Sequence, residues 1–457
     1  MKKRQTPCFN ETERYVAGID LAGNADHYVC GPRKDDGSHD IDHFGTTTRE
    51  LKRMLKWLQD RHVVSVAMES TSVYWIPVYD LLETNGIKPL LVDTRTVRMV
   101  PGRKSDVKDC QWLQKLLSCG LLVGAFRPPE RFNAIRMVIR EKDNILQMRT
   151  QAIQMIQKSL DQMNIRLHHA VSDIAGETGM QILRAIVEGE RDPVRLAGHR
   201  DPRCKKSIQE IAEHLTGSWR EEHLFILEQA YMSLVSLTER LDAFNVKIAA
   251  MYASLASATG NDVPDSFDGR TNGSKRKGGI TERRNLARIV NFDITKIDGI
   301  GIETAYGIVA EIGNDLSMFP DESHFVSWAG LAPPLGKSAG KNVRNKKFKN
   351  TNRVGVLLRQ AAMSLLRSEC ELGARFRSIR SRATTPVAAK AVARRMAQYI
   401  YRGVKYGAAY VDEGEMMYEQ RRRDRTIRSI RRTIAKLAIT ADELMRIPPT
   451  EVSQQKN

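Results

Sequence analysis

Between residues 13 and 127 the apolar positions fall in short runs of strand length, with helical spacing between the later runs. Runs at 15–20, 27–31, 40–44, 63–68 and 88–92 predict five strands. Leu51, Met54, Leu55 and Leu58 recur at three and four, marking one face of a helix between the third and fourth strands. Further helices are expected at 73–84 and from Asp106 onward. Three strands in succession suit a meander, and the later strands, apolar throughout, suit buried parallel pairing. The order predicts an α/β unit, a mixed sheet with helices on its faces.

From Pro129 the period becomes helical and stays so to about residue 168. Leu146, Ile153, Ile156, Leu160, Met163 and Leu167 form a seam, and Leu234, Leu237, Leu241, Phe244, Ile248, Met251 and Leu255 form a second that alternates three and four. Two such seams predict an antiparallel helical hairpin or a dimer-forming coiled coil, with ordinary bundle core as the plainer reading. Between them, 170–220 holds short helical patterns and the basic knot Arg200, Arg203, Lys205 and Lys206. The stretch 257–290, polar, basic and Gly-rich, reads as a linker. The divisions expected are 13–127, an α/β catalytic domain; 128–256, helical with a small helical insertion; 257–290, linker; 291–410, a mainly helical C-terminal domain; and 411–457, a basic helical tail.

Charge narrows the partners. The 457 residues carry 72 Lys+Arg against 54 Asp+Glu, a net +18 gathered in blocks, which favours polyanions. Six cysteines show no spacing suited to zinc and read as free thiols in a reducing compartment. The start of the chain lacks an apolar signal core, and no apolar run approaches the roughly 20 residues of a membrane helix. A cytoplasmic, nucleoid-associated protein is expected.

Four acids then stand out. Asp20 and Glu69 each close an apolar strand, and Asp106 and Asp109 sit three apart at the start of a helix. Carboxylate oxygens suit Mg²⁺ or Mn²⁺, and clustered acids repel unless a cation neutralises them. Each acid alone reads as a turn or cap residue. Asp26, Asp42 and Asp93 are rivals. A second centre lies in the C-terminal region. Gly299 and Gly301 precede a helical run, as in a helix-hairpin-helix phosphate grip or a plain tight turn. Lys337, Lys341, Arg344, Lys346, Lys347, Lys349 and Arg353 then form a basic strip without an acid, around Ser338. A serine there can approach a phosphate but needs a base or metal to become a nucleophile. Taken alone Ser338 reads as a loop residue, and Ser327, Ser364 and Thr351 are weaker rivals.

Several ordered motifs carry a family resemblance. They are Gly18-Ile19-Asp20, Met68-Glu69-Ser70-Thr71, Lys104-Ser105-Asp106-Val107-Lys108-Asp109, Asp201-Pro202-Arg203-Cys204-Lys205-Lys206, Ile297-Asp298-Gly299-Ile300-Gly301, Phe325-Val326-Ser327-Trp328-Ala329-Gly330-Leu331-Ala332-Pro333 and the Ser338 loop. With them the chain resembles the DEDD-type insertion-sequence transposases, which pair a RuvC-like domain of ribonuclease H fold with a C-terminal serine domain and are guided by a bridge RNA. The resemblance implies that Asp20, Glu69, Asp106 and Asp109 bind the metal and that Ser338 forms a covalent phosphoserine link to DNA. It also implies a coiled coil, oligomerisation to a dimer or tetramer, and a structured non-coding RNA that pairs with donor and target DNA. Where the family shows Ser-Gly, this chain has Ser338-Ala339-Gly340.

The function expected is a transposase that breaks and rejoins DNA. It competes with a RuvC-like junction endonuclease that uses water, and with a non-catalytic nucleic-acid-binding protein. No Gly-x-x-x-x-Gly-Lys-Ser/Thr loop is present, as suits strand exchange without ATP.

Overall fold

The computed structural model describes residues 11–23, 25–70, 72–92, 106–122, 124–204, 206–264, 267, 279–333, 336–338, 341–343, 352–407 and 414–437. The chain divides into two units, 1–127 and 128–457.

The first unit runs β1 (Val16–Asp20), β2 (His27–Arg33), β3 (His39–Phe44), α1 (Thr48–Gln59), β4 (Ser65–Glu69), α2 (Trp75–Thr84), β5 (Lys88–Val92) and α3 (Asp106–Ser118). Its sheet has the order β3-β2-β1-β4-β5. The first three strands pair antiparallel, and β1, β4 and β5 pair parallel, as the hydrophobic pattern predicts. Because side chains alternate across a strand, each face has its own core. Ala17, Ile19, Val66 and Met68 face Leu51, Met54, Leu55 and Leu58 of α1 and Val78 and Leu82 of α2. Val16, Ala67 and Val92 face Leu113 and Leu117 of α3. β2 extends past the expected end at 31 to Arg33, through a register shift between Cys30 and Arg33.

The second unit is helical. Its frame is α4 (Glu130–Gln162), followed by α5 (Leu167–Ala170), α6 (Glu177–Val187), α7 (Pro193–Gly198), α8 (Ile208–His214) and a second long helix, α9 (Glu221–Thr259). Arg149 on α4 donates to Thr238 on α9 at 3.3 Å, while Ile156 and Leu160 share a cluster with Leu227, Ala230 and Leu234. Later residues of α4 thus meet earlier residues of α9, so the two pack as an antiparallel hairpin within one chain. Of the expected seams, Ile156, Leu160, Met163, Leu167, Leu234, Leu241, Ile248 and Leu255 are buried, whereas Leu146 is 40% exposed. The short helices α5 to α8 close the hairpin's end through Leu167, Ile182, Leu183, Ile186, Leu196 and Ile211.

The remaining elements are α10 (Ile280–Val290), a 3-10 turn at Ile294–Lys296, α11 (Ile302–Ile312), α12 (Glu322–Trp328), β6 (Gly336–Ser338), β7 (Lys341–Val343), α13 (Arg353–Met363), a 3-10 turn at Ser364–Arg367, α14 (Glu371–Arg380), α15 (Thr385–Tyr406) and α16 (Gly414–Leu437). The expected linker 257–290 therefore contains a helix, α10. Its Arg283 is fully buried, with Nη2 2.6 Å from Asp293 Oδ2 and Nε 2.9 Å from Thr295 Oγ1. The hairpin and the C-terminal region, expected as separate domains, lie in one unit. Arg140 of α4 grips the buried Glu311 of α11 with bonds of 3.0 and 2.9 Å, and buried Tyr252 of α9 donates to the carbonyl of Tyr306 at 2.6 Å.

Candidate active site

Asp20 and Glu69 are the last residues of β1 and β4, which run parallel as neighbours with Ile19 opposite Met68. The next register step therefore puts the two acids side by side, on strands about 4.8 Å apart. Both are half-buried. By alternation Asp20 shares a face with Val16 and Gly18, and Glu69 with Ala67, which is the face that α3 covers.

Gly18 sets how closely α3, the helix that carries Asp109, lies to β1. A Cβ at Gly18 would lie 2.2 Å from the carbonyl oxygen of Cys110 and 2.5 Å from the amide nitrogen of Gln114. Only a residue without a side chain lets α3 approach β1 so closely. Asp109 is half-buried on that helix, and Lys108 beside it is exposed. The buried thiol of Cys110 registers the neighbourhood. Burial first, then the charges of Asp20 and Asp109, push its pKa up to about 12. Asp106 opens the same helix one turn earlier, and its side chain lies outside the described residues.

The candidate donors are all carboxylate oxygens, a chemistry that suits a hard divalent cation and not zinc or copper. The rivals stand apart. Asp42 lies on the edge strand β3, Asp26 is exposed beside His43, and Asp93 lies outside the described residues. The loops after β1 and β4 meet, since a Cβ at Gly23 would fall 2.3 Å from the Tyr74 ring. Buried His27 braces the first of these loops by accepting from the Ala22 amide through Nδ1 at 3.2 Å. Gly18, Cys110 and His27 were not among the expected site residues. The one signal available was a glycine inside an apolar strand.

In the second unit, Ser338 ends β6, which pairs antiparallel with β7 in the register Gly336–Val343, Lys337–Asn342 and Ser338–Lys341. The pairing puts Ser338 and Lys341 at the closing step of a hairpin. The side chains of Lys337, Ser338 and Lys341 lie outside the described residues, as do Arg344, Lys346, Lys347, Lys349 and the rival Thr351. Ser327 and Ser364 are exposed, and Ser364 Oγ donates to Ala361 O at 2.8 Å.

Arg353 is the one residue of the expected strip whose side chain is described. It opens α13, half-buried, and pairs with Asp143 and, at 3.7 Å, with Glu311. Gly299 takes a φ of +83°, and a Cβ there would lie 2.8 Å from Ala361 O, so turn and packing both demand glycine. Gly301 caps α11 without a side-chain bond, and Glu303 in the first turn pairs with Lys142.

Residues 17–165 match the DEDD transposase family of the IS110 type, and residues 293–377 match the family described as "Transposase IS116/IS110/IS902 family". Together the two segments span just over half of the chain. The comparison with curated proteins gave no match. Transposases of this kind cut and rejoin DNA, and the DEDD type implies use of a divalent metal. The chain belongs to the DEDD-type insertion-sequence transposases of the IS110/IS116/IS902 family.

Proposed function

We propose that the chain breaks DNA by forming a covalent phosphoserine at Ser338, with Asp20, Glu69, Asp106 and Asp109 holding Mg²⁺ or Mn²⁺. The observation that carries the metal part is the common sheet face. Two half-buried acids end adjacent parallel strands, beneath the helix that bears Asp109. The bound ion supplies Lewis-acid charge at the reacting phosphate. The residues supply the rest. The Ser338 hydroxyl attacks phosphorus, its Oγ–P bond forms as one P–O bond of the strand breaks, and the serine proton leaves with the departing oxygen. Reversal with a second strand end restores serine and rejoins DNA, so no external energy source is required. Lys337, Lys341, Arg344, Lys346, Lys347 and Lys349 position the phosphate backbone without reading bases, with Gly299 and Gly301 as a further backbone grip. A structured RNA selects the donor and target, and the protein acts as a homo-oligomer.

Ser338→Ala is expected to stop covalent adduct formation while Asp20→Asn and Asp109→Asn stop cleavage with folding retained. Mass spectrometry of the trapped complex is the measurement. An active enzyme that yields no adduct would assign the chemistry to water, and an adduct at Ser327, Thr351 or a tyrosine would move the nucleophile. Dependence of strand exchange on RNA transcribed from the flanking DNA tests the guide.

A further inference from the structure

The last described helix, α16, lies beyond both family-matched segments. Its start is anchored. Tyr418 is buried, with the Arg375 guanidinium of α14 5.3 Å from its ring centre. Beyond it, every arginine from Arg421 to Arg432 is exposed. That stretch holds seven arginines and one acid, Asp424.

The arginines are ordered. Arg421, Arg425, Arg428 and Arg432 follow steps of four, three and four. At 3.6 residues per turn this confines them to an arc of about 60° and spreads them along about 16 Å of helix axis. Ile427, Ile430 and Ile434 lie on the opposite side. Elsewhere in this unit Arg140, Arg283 and Arg402 each meet a carboxylate. Among the described residues no ion pair engages Arg425, Arg428 or Arg432. Arg425 Nε turns back to Arg421 O at 3.2 Å and Arg428 Nε to Asp424 O at 3.3 Å. Among the described residues the terminal nitrogens of Arg425 and Arg428 meet no acceptor. Like charges at i, i+3 and i, i+4 repel, so the row costs helix stability until an anionic partner offsets it.

We infer that α16 is a DNA-binding element separate from the reacting centre, whose arginine row follows the phosphates of duplex DNA. The guanidinium fork matches phosphate geometry. The anchor, α14, begins inside the segment matched to a DNA-acting family. A single strand is disfavoured, because the exposed part of the helix offers no aromatic ring for base stacking. A lipid surface is disfavoured too, because the apolar side carries isoleucines and no Trp or Phe. The inference holds whichever group is the nucleophile.

The test compares two triple variants of the full chain that remove equal charge. Arg425→Ala/Arg428→Ala/Arg432→Ala removes three of the row's four arginines, and Arg422→Ala/Arg423→Ala/Arg431→Ala strips the other faces. Alanine favours the helix in both, and circular dichroism checks it. Fluorescence anisotropy with a duplex of arbitrary sequence is read from 50 to 200 mM salt. The first variant is expected to flatten the slope of log K against log salt by up to about 0.9 per lost contact, about 2.7 for three, and the second by less than about 0.9 in total. Equal slopes for the two variants, or no change in the first, overturn the inference. So does a row-dependent affinity for phosphatidylserine vesicles or for an RNA hairpin when the DNA slope is unchanged.

Discussion

Gly18 is where a single methyl group would separate the acids. The atoms its Cβ would strike, Cys110 O and Gln114 N, are backbone, so no rotamer change relieves the clash. Gly18→Ala should push α3 off β1, costing about 1–3 kcal/mol by overpacking and lowering DNA cleavage at least about tenfold. Urea unfolding and a cleavage assay read the two effects, and an active, equally stable variant would falsify the role given to this contact. His27 adds a pH dependence. Burial lowers its pKa and the charge of Asp26 only partly raises it back. The folded protein therefore binds this proton less readily than the unfolded chain, whose imidazole titrates near about 6.5. The stability His27 contributes is fully present above that pH and is lost as pH falls through the lower folded value. Thermal midpoints at pH 7.5 and 5.5 should differ more for the wild type than for His27→Gln, which keeps an acceptor for the Ala22 amide.

At the scale of elements, apolar spacing marked where helices run but not how charged side chains are used between them. Arg283 reads as one more basic residue of a polar linker, yet it is 1% exposed and bound to Asp293 and Thr295. Asp293→Ala would strand that guanidinium in the core, at a cost of about 3–5 kcal/mol. Chemical denaturation should show the loss, and a variant as stable as the wild type would mean the pair is dispensable. The long seams were legible as seams because leucine and isoleucine recur at three and four. Whether they pair within or between chains was not, since both arrangements bury the same stripe. The bond from Arg149 to Thr238 and the cluster at the hairpin's end decide for the chain itself.

For the molecule as a whole, the carboxylates and Ser338 belong to different units. If, as proposed, the protein works as a homo-oligomer, one copy can complete the site of another. A Ser338→Ala chain mixed with an Asp20→Asn chain should then regain part of the strand-exchange activity that each lacks alone. No recovery at any mixing ratio, with both variants binding DNA, would show that each site is built within one chain. Among the described residues no helix is long and apolar enough to cross a membrane.

What the sequence determined by itself was local and periodic. Alternation at two and recurrence at three and four specified the five strands, their meander-then-parallel order and the long helices, because these patterns depend only on which residues must leave water. The motifs around Asp20, Glu69 and Asp109 carried the family for the same reason, being short and contiguous. The tertiary structure decided what depends on residues distant in the chain. It brought the ends of β1 and β4 together under α3, withdrew Arg353 into contact with Asp143 and Glu311, and buried Arg283. A charge looks alike in sequence whether it meets solvent, a phosphate or a carboxylate. Its role follows from the partner that folding brings within a few ångströms, and only the packed chain specifies that partner.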